Sequence, residues 1–221
     1  MFDRIADRYD LLNALISGFQ EPRWRRAAAD ASGLAPGMAA IDVATGTGKL
    51  AAALADRVGP LGRVLGVDLA PAMIDRARAA HRGVACLEFR VGDALTLPVG
   101  DGTFDAATIA FGMRNLPDYE RGFAELLRVV RPGGRVVCLE IGRPGSIVGR
   151  LGRLWFERAV PALGALFGHG SEYRYLVESV RAYPDPERIA AIMQAAGLRD
   201  VAWRPMTAGF VTLHLGRRPD G

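Results

Sequence analysis

Short apolar runs alternate with longer amphipathic ones over much of the chain, and the alternation predicts strand and helix in turn from about residue 39 to residue 141. "AAIDVA" (39–44) reads as a buried strand before a glycine turn, and "KLAAALADRVG" (49–59) as a helix with a glycine stop. "RVLGVDL" (63–69) is the second strand, and Pro71 opens the helix that contains "AMIDRARAAH". "CLEFRVGDA" (86–94) and "FDAATIAFG" (104–112) follow as third and fourth strands. In "YERGFAELLRVV" the side chains of Phe123, Leu126, Leu127 and Val130 share one helical face; "RPGG" (131–134) then turns the chain into a fifth strand, "RVVCLEI" (135–141). Strands so continuously apolar, linked by helices, mean a parallel sheet covered on both faces, a doubly wound α/β fold.

The alternation stops after residue 142. About 40 residues follow without a strand pattern, rich in Gly, Arg and aromatics, up to a helix that starts at Asp185 or Pro186 and stops at Gly197. Two last β-like runs, "DVAWRPM" and "FVTLHLGRR", are separated by a link so short that they must pair antiparallel. The expectation is one domain over 1–221, with an N-terminal helical segment at 1–35 and a helical insertion or lid at about 143–182.

Composition narrows the function classes. No run of eighteen apolar residues occurs, and "MFDRIADRYD" lacks the apolar core of a secretory signal, so a cytoplasmic protein is expected. The net charge of +4 is almost wholly arginine, Lys49 being the single lysine. The densest basic group, "PRWRR" (22–26), is a functional patch or a solvated helix face, and no nucleic-acid partner is expected. "GRLGRLWFER" (149–158) suits either a bilayer surface or a cover over an apolar pocket, so peripheral membrane contact is expected. Cys86 and Cys138 fit buried, reduced thiols; His81, His169 and His214 are scattered, and no metal site is expected. A homodimer is entertained on frequency alone.

The candidate chemistry begins at "IDVATGTGKLA" (41–51), since ligands of open α/β sheets sit beyond the carboxyl ends of the strands. A triphosphate loop would need a glycine five residues before Gly48 and a hydroxyl residue at Leu50, and it has neither. A dinucleotide fingerprint counted from Gly46 reaches Ala51, a permitted variant, so the turn alone leaves NAD open. Three acidic residues around it discriminate. Asp42 sits inside strand 1, where a buried charge needs a partner such as the ammonium of an amino-acid-bearing cofactor. Asp68 ends strand 2, placed for two ribose hydroxyls, and Asp93 follows strand 3, placed for an adenine amine beside the Ala94 backbone N–H. Singly, these could be a strand residue, a helix cap and a turn former. Together with Gly46 and Gly48 they describe a site for S-adenosylmethionine.

"FDRIADRYDLLN" (2–13), "RWRR" (23–26), "DVATGTG" (42–48), "GVDLAPAMI" (66–74), "FGMRNLPD" (111–118), "RVVRPGGR" (128–135), "EYRYLVESV" (172–180) and "TAGFVTLHLG" (207–216) resemble, in order and along essentially the whole chain, the ubiquinone/menaquinone biosynthesis C-methyltransferases. The resemblance implies the class I methyltransferase fold, Rossmann-like, with seven strands of which the last is antiparallel. It also implies methyl transfer from S-adenosylmethionine to a ring carbon of a polyprenylated quinol, a demethylmenaquinol or a methoxy-polyprenyl-benzoquinol. By position it carries the cofactor contacts to Thr47, Asp68, Asp93 and Ala94, with Thr45, Leu69, Met73 and Ala110 completing the set. Arg114 and Asn115, just past strand 4, become the catalytic pair, and Tyr9, Glu140, Tyr173 and Tyr175 candidates for shaping the ring pocket. Two departures stand beside the site: Lys49 where many relatives carry an acid, and Ala110 where they carry a hydroxyl.

In that reading Arg114, directly or through a water, stabilises the phenolate that makes a ring carbon nucleophilic, and Asn115 holds the ring oxygen or the water. Arginine is a poor base at its ordinary pKa, which favours electrostatic stabilisation. The bland alternative is a surface Arg114 paired with Asp118. Two other functions stay open: a methyltransferase of the same fold with another acceptor, and a cofactor-binding scaffold without turnover.

Overall fold

The computed structural model describes residues 19–142 and 170–220. Helix α1 (Glu21–Ala31) leads into β1 (Ala39–Val43), α2 (Lys49–Val58), β2 (Arg63–Asp68), α3 (Pro71–Ala80), β3 (Leu87–Val91) and β4 (Phe104–Ala110). A 3-10 turn (Met113–Asn115), α4 (Tyr119–Val129) and β5 (Val130–Ile141) follow; α5 (Gly170–Ala182), α6 (Pro186–Ala195), β6 (Arg199–Met206) and β7 (Val211–Arg217) end the chain.

The seven strands form one sheet in the order β3-β2-β1-β4-β5-β7-β6. The first five pair in parallel, and β7 lies antiparallel between β5 and β6. Strand order therefore reverses between β1 and β4, and the crevice beyond their carboxyl ends is where this topology places a ligand. Two apolar clusters cover the sheet. Ile41, Val43, Ile109 and Cys138 pack with Phe123, Leu126 and Ile189 of α4 and α6. On the other face Ala40, Val137 and Leu139 pack with Trp24, Leu50, Leu54 and Ile74 of α1, α2 and α3. Among the described residues no helix is long and apolar enough to cross a membrane.

The element order follows the expectation, with local corrections. β1 and β4 stop at Val43 and Ala110, because Ala44 and Phe111 take positive φ angles of 52° and 58° that strand pairing does not allow. The third strand is shorter than expected, Leu87–Val91, so half-buried Cys86 precedes it and Asp93 lies beyond it. Helix α4 buries Phe123, Leu126 and Val129, while Val130 already belongs to β5. "RPGG" is not a turn between helix and strand but an irregularity within β5: Phe104 pairs with Val130 and Ala106 with Arg135. Tyr9, "GRLGRLWFER" and most of the lid expected at 143–182 lie outside the described residues, as does the side chain of Tyr173, whose backbone is in α5.

Candidate active site

The glycine turn joins β1 to α2 through two left-handed glycines, Gly46 at φ 56° and Gly48 at φ 81°. They do different work. A Cβ on Gly48 would stand 2.6 Å from Phe89 Cζ and 2.9 Å from His81 Cδ2, so its bareness lets the turn close on β3 and α3. A Cβ on Gly46 would meet nothing within 4 Å, so this backbone faces open space. The Gly46 N–H donates to Asp68 Oδ2 at 2.8 Å and the Ala70 N–H to Asp68 Oδ1 at 3.0 Å, tying the end of β2 to the turn. The neighbouring Leu69 is 70% exposed, an uncovered apolar side chain at the mouth of the crevice. Asp93 is exposed past β3 and accepts from the Leu95 N–H at 2.9 Å, so it also forms the local turn. Ala94 is half-buried; Ala110 and Met73 are buried, Met73 on the inner face of α3.

Asp42 lies beneath the turn, and its two oxygens are occupied from within. Thr45 Oγ1 donates to Oδ2 at 2.6 Å and Thr108 Oγ1 to Oδ1 at 2.7 Å. Thr108 stands opposite Asp42 in the β1–β4 register, which puts both side chains on one sheet face. Burial pushes the Asp42 carboxyl up to about 6, against the two hydroxyls and nearby Arg25, which favour its charge. Side-chain hydrogen bonds to Asp42 thus come from two threonines, beside a weaker one from the Ala51 backbone, and sequence reading missed Thr108. A hydroxyl in a buried strand one register step from an acid was the available signal. Thr47 turns its carbonyl to His81 Nε2, 3.1 Å away.

Helix α1 walls the site on one side, and "PRWRR" is split: Pro22, Arg23 and Arg26 are exposed as on a solvated face, whereas Trp24 and Arg25 turn inward. Trp24 is buried and donates through Nε1 to Thr207 Oγ1 at 2.8 Å, while Arg25 pairs with buried Glu21 and lies over the Phe111 ring at 5.6 Å. Glu21 also answers the charge of Lys49, whose Nζ lies 3.5 Å from Oε2. The departure at Lys49 therefore has its counter-charge on α1.

Past β4, Phe111 sits between Trp24 and Arg25, and the 3-10 turn carries Arg114 and Asn115. Arg114 is not a surface residue, and its partner is not Asp118, which caps α4 by accepting from the Arg121 N–H at 2.9 Å. The Arg114 side chain is 6% exposed and donates from Nη1 to Glu140 Oε1 at 2.5 Å. Glu140 is itself fully buried in β5, so it does not shape an open ring pocket by contact, as had been expected of it. Arg114 Nε is buried without a hydrogen-bond partner among the described residues. Tyr175, exposed on α5, donates to Asn115 Oδ1 at 3.4 Å, which brings one of the candidate tyrosines to the expected catalytic pair. Burial, then the Glu140 charge, holds the Tyr119 phenol above its usual range and neutral.

The described residues fit S-adenosylmethionine: space at Gly46, an uncovered apolar side chain at Leu69, and carboxylates at two neighbouring strand ends. A fold of this kind is widespread. A possible histamine N-methyltransferase from Thermotoga maritima superposes with a TM-score of 0.69 at 19% identity, covering 98% of this chain and 97% of that one. Closer in sequence is a demethylmenaquinone methyltransferase of Thermus thermophilus, 47% identical over 99% of this chain and 100% of the relative. One from Deinococcus radiodurans is 45% identical over 98% of this chain and 90% of the relative. Residues 1–218 match the ubiE/COQ5 methyltransferase family. With that match and those relatives, the chain belongs to the ubiE/COQ5 methyltransferase family and is an S-adenosylmethionine-dependent methyltransferase.

Proposed function

We infer that the protein methylates a ring carbon of a polyprenylated quinol, converting a demethylmenaquinol to a menaquinol. The name of the relatives supports the choice of ring. The observation that carries the chemistry is Arg114, a buried guanidinium just past the carboxyl end of β4 whose Nε has no hydrogen-bond partner among the described residues.

Asp68 would hold the ribose hydroxyls, Asp93 the adenine amine, the Ala94 N–H a ring nitrogen and Leu69 a face of the base. Thr45, Gly46, Thr47 and Gly48 would line the amino-acid end, with Asp42 acting beneath them and Met73 and Ala110 forming the floor. S-adenosylmethionine, when bound, supplies an electrophilic methyl group on sulfur. The chain's own task is to make a ring carbon nucleophilic, which requires favouring ionisation of an adjacent ring hydroxyl. Arg114 stabilises the resulting oxyanion; buried and water-poor, its charge counts for more than in solution. With its carbonyl turned to Tyr175, Asn115 uses its NH2 group on the ring oxygen or a bridging water. Arginine keeps its proton, so the released proton leaves through water and not through Arg114.

The apolar tail gives this reading its membrane side: a cytoplasmic enzyme that touches the inner face of the membrane peripherally, with a homodimer proposed on frequency alone. The test is a transfer assay with labelled S-adenosylmethionine and reduced short-chain demethylmenaquinol beside the methoxybenzoquinol, the label position read by mass spectrometry. Carbon-bound label on the naphthoquinol is expected. Label on the benzoquinol alone would move the substrate, and label on oxygen would overturn the reaction.

A further inference from the structure

Glu140 lies near the end of β5 with its carboxylate wholly buried, and most of what it holds belongs to Arg114. Oε1 accepts from Arg114 Nη1 at 2.5 Å and from its neighbour Ile141 N–H at 2.8 Å, and Oε2 accepts from the Arg114 backbone N–H at 3.3 Å. One carboxylate therefore grips the main chain and the side chain of the same residue. The main-chain contact falls inside the 3-10 turn Met113–Asn115, so the stem of Arg114 is anchored there. The contact at Nη1 then restricts the rotation that remains to the guanidinium.

Among the described residues nothing accepts from Nε–H, a buried donor on a charged group. Native structures rarely leave such a donor unmet, because its desolvation is not repaid until something accepts from it. Nor is the pair easily explained as a stabilising device. A buried ion pair often does no better for stability than apolar residues of the same size. Tyr119, Cys138 and Tyr183, which also feel the Glu140 charge, have acidities weakened chiefly by burial and stay neutral, so none of them adds a second negative charge beside the carboxylate.

We propose that Glu140 is a positioning residue which, by holding Nη1 and the backbone N–H of Arg114, fixes the guanidinium so that its donors not bound to Glu140 are directed at the quinol oxygen. This rests on the reading of Arg114 given above. Glu140 itself touches neither substrate nor cofactor, since it has no exposed surface.

The experiment compares Glu140→Gln, Glu140→Asp, Arg114→Gln and the double variant Arg114→Gln/Glu140→Gln with the wild type. Turnover and KM are measured on reduced short-chain demethylmenaquinol, and S-adenosylhomocysteine affinity by calorimetry. The Arg114 Nε–H signal is followed by NMR in protein carrying 15N-arginine, assigned with the Arg114→Gln protein. Glu140→Gln should bind S-adenosylhomocysteine and retain KM within about threefold, yet lose about 30–100-fold in kcat, with Glu140→Asp recovering part of the loss. In the Arg114→Gln background the same change should cost less than about threefold, because the residue it positions is gone. The Nε–H signal should exchange with solvent about tenfold faster or more in Glu140→Gln than in the wild type.

Wild-type turnover in Glu140→Gln would overturn the proposal. So would an equal loss in both backgrounds, which would mean a structural role independent of Arg114. If Glu140→Gln does not fold, Glu140→Asp in the two backgrounds is judged by the same criteria. A wild type that binds S-adenosylhomocysteine but labels neither quinol defeats the substrate reading alone, and the NMR comparison still decides the positioning.

Discussion

Two buried carboxylates face opposite sides of the sheet, and they are held in opposite ways. Asp42 on β1 faces the layer of α1 and α2 and is satisfied chiefly by two neutral hydroxyls, with burial pushing its pKa up to about 6. Glu140 on β5 faces the layer of α4 and α6 and is satisfied chiefly by a cation, Arg114. Hydroxyls leave the charge of Asp42 in place, so any cation brought near it is stabilised. The Glu140 pair is nearly neutral as a unit and offers a leftover donor. The half of the crevice built on β1 is thus suited to a cationic ligand, and the half built on β4 and β5 to an oxygen that gains negative charge.

The comparison breaks most sharply at the glycines. Gly48→Ala should cost about 2–5 kcal/mol of stability, from the left-handed backbone and overpacking against Phe89 and His81. Gly46→Ala should cost only about 1 kcal/mol for its φ, yet its methyl enters the open side, so S-adenosylhomocysteine affinity should drop about tenfold or more. Urea titration and calorimetry separate the two effects; equal losses of stability at both positions would erase the distinction drawn between them.

Asp42 sharpens the comparison through pH. Its carboxyl rises from 3.8 in the unfolded chain to about 6 in the fold. Between those values the folded state keeps a proton that the unfolded state has lost, so stability contributed here falls as pH rises from about 4 to about 6. Asp42→Asn should remove this dependence and change the stability gap to wild type by about 2–3 kcal/mol between pH 4 and pH 7.5. His214, whose pKa burial lowers, contributes the opposite slope in both proteins and cancels from the difference. Parallel stability profiles for the two proteins would remove Asp42 from the account.

The smallest effect expected is at the α1 wall. Thr207→Val deletes, at near-constant volume, the acceptor of the Nε1–H of buried Trp24. A loss of about 1 kcal/mol is expected in urea titration, with S-adenosylhomocysteine affinity unchanged. A large affinity change instead would mean that α1 shapes the cofactor half directly.

The cofactor half was legible because its pieces are local. Asp42, Gly46 and Gly48 lie within seven residues, and Asp68 follows at the end of the next strand, so period and spacing alone place them. The other half was legible only as motifs. "FGMRN" points to Arg114, but its counter-charge stands 26 residues away on β5, whereas Asp118, four residues on, is the nearer acid in sequence. Asp118 instead spends its carboxylate on capping α4. Likewise Lys49 lacked a visible partner until α1 packed on α2 and brought Glu21 beside it.

The sequence by itself determined the class of fold, the turn that opens the crevice and the acids at the strand ends, because hydrophobic period and glycine placement act over a few residues. Tertiary structure alone decided who partners whom: Thr108 with Asp42, Glu21 with Lys49, Trp24 with Thr207 and Glu140 with Arg114. Strand register and helix packing join residues far apart in the chain, and a buried charge or donor takes whichever partner that geometry brings within reach.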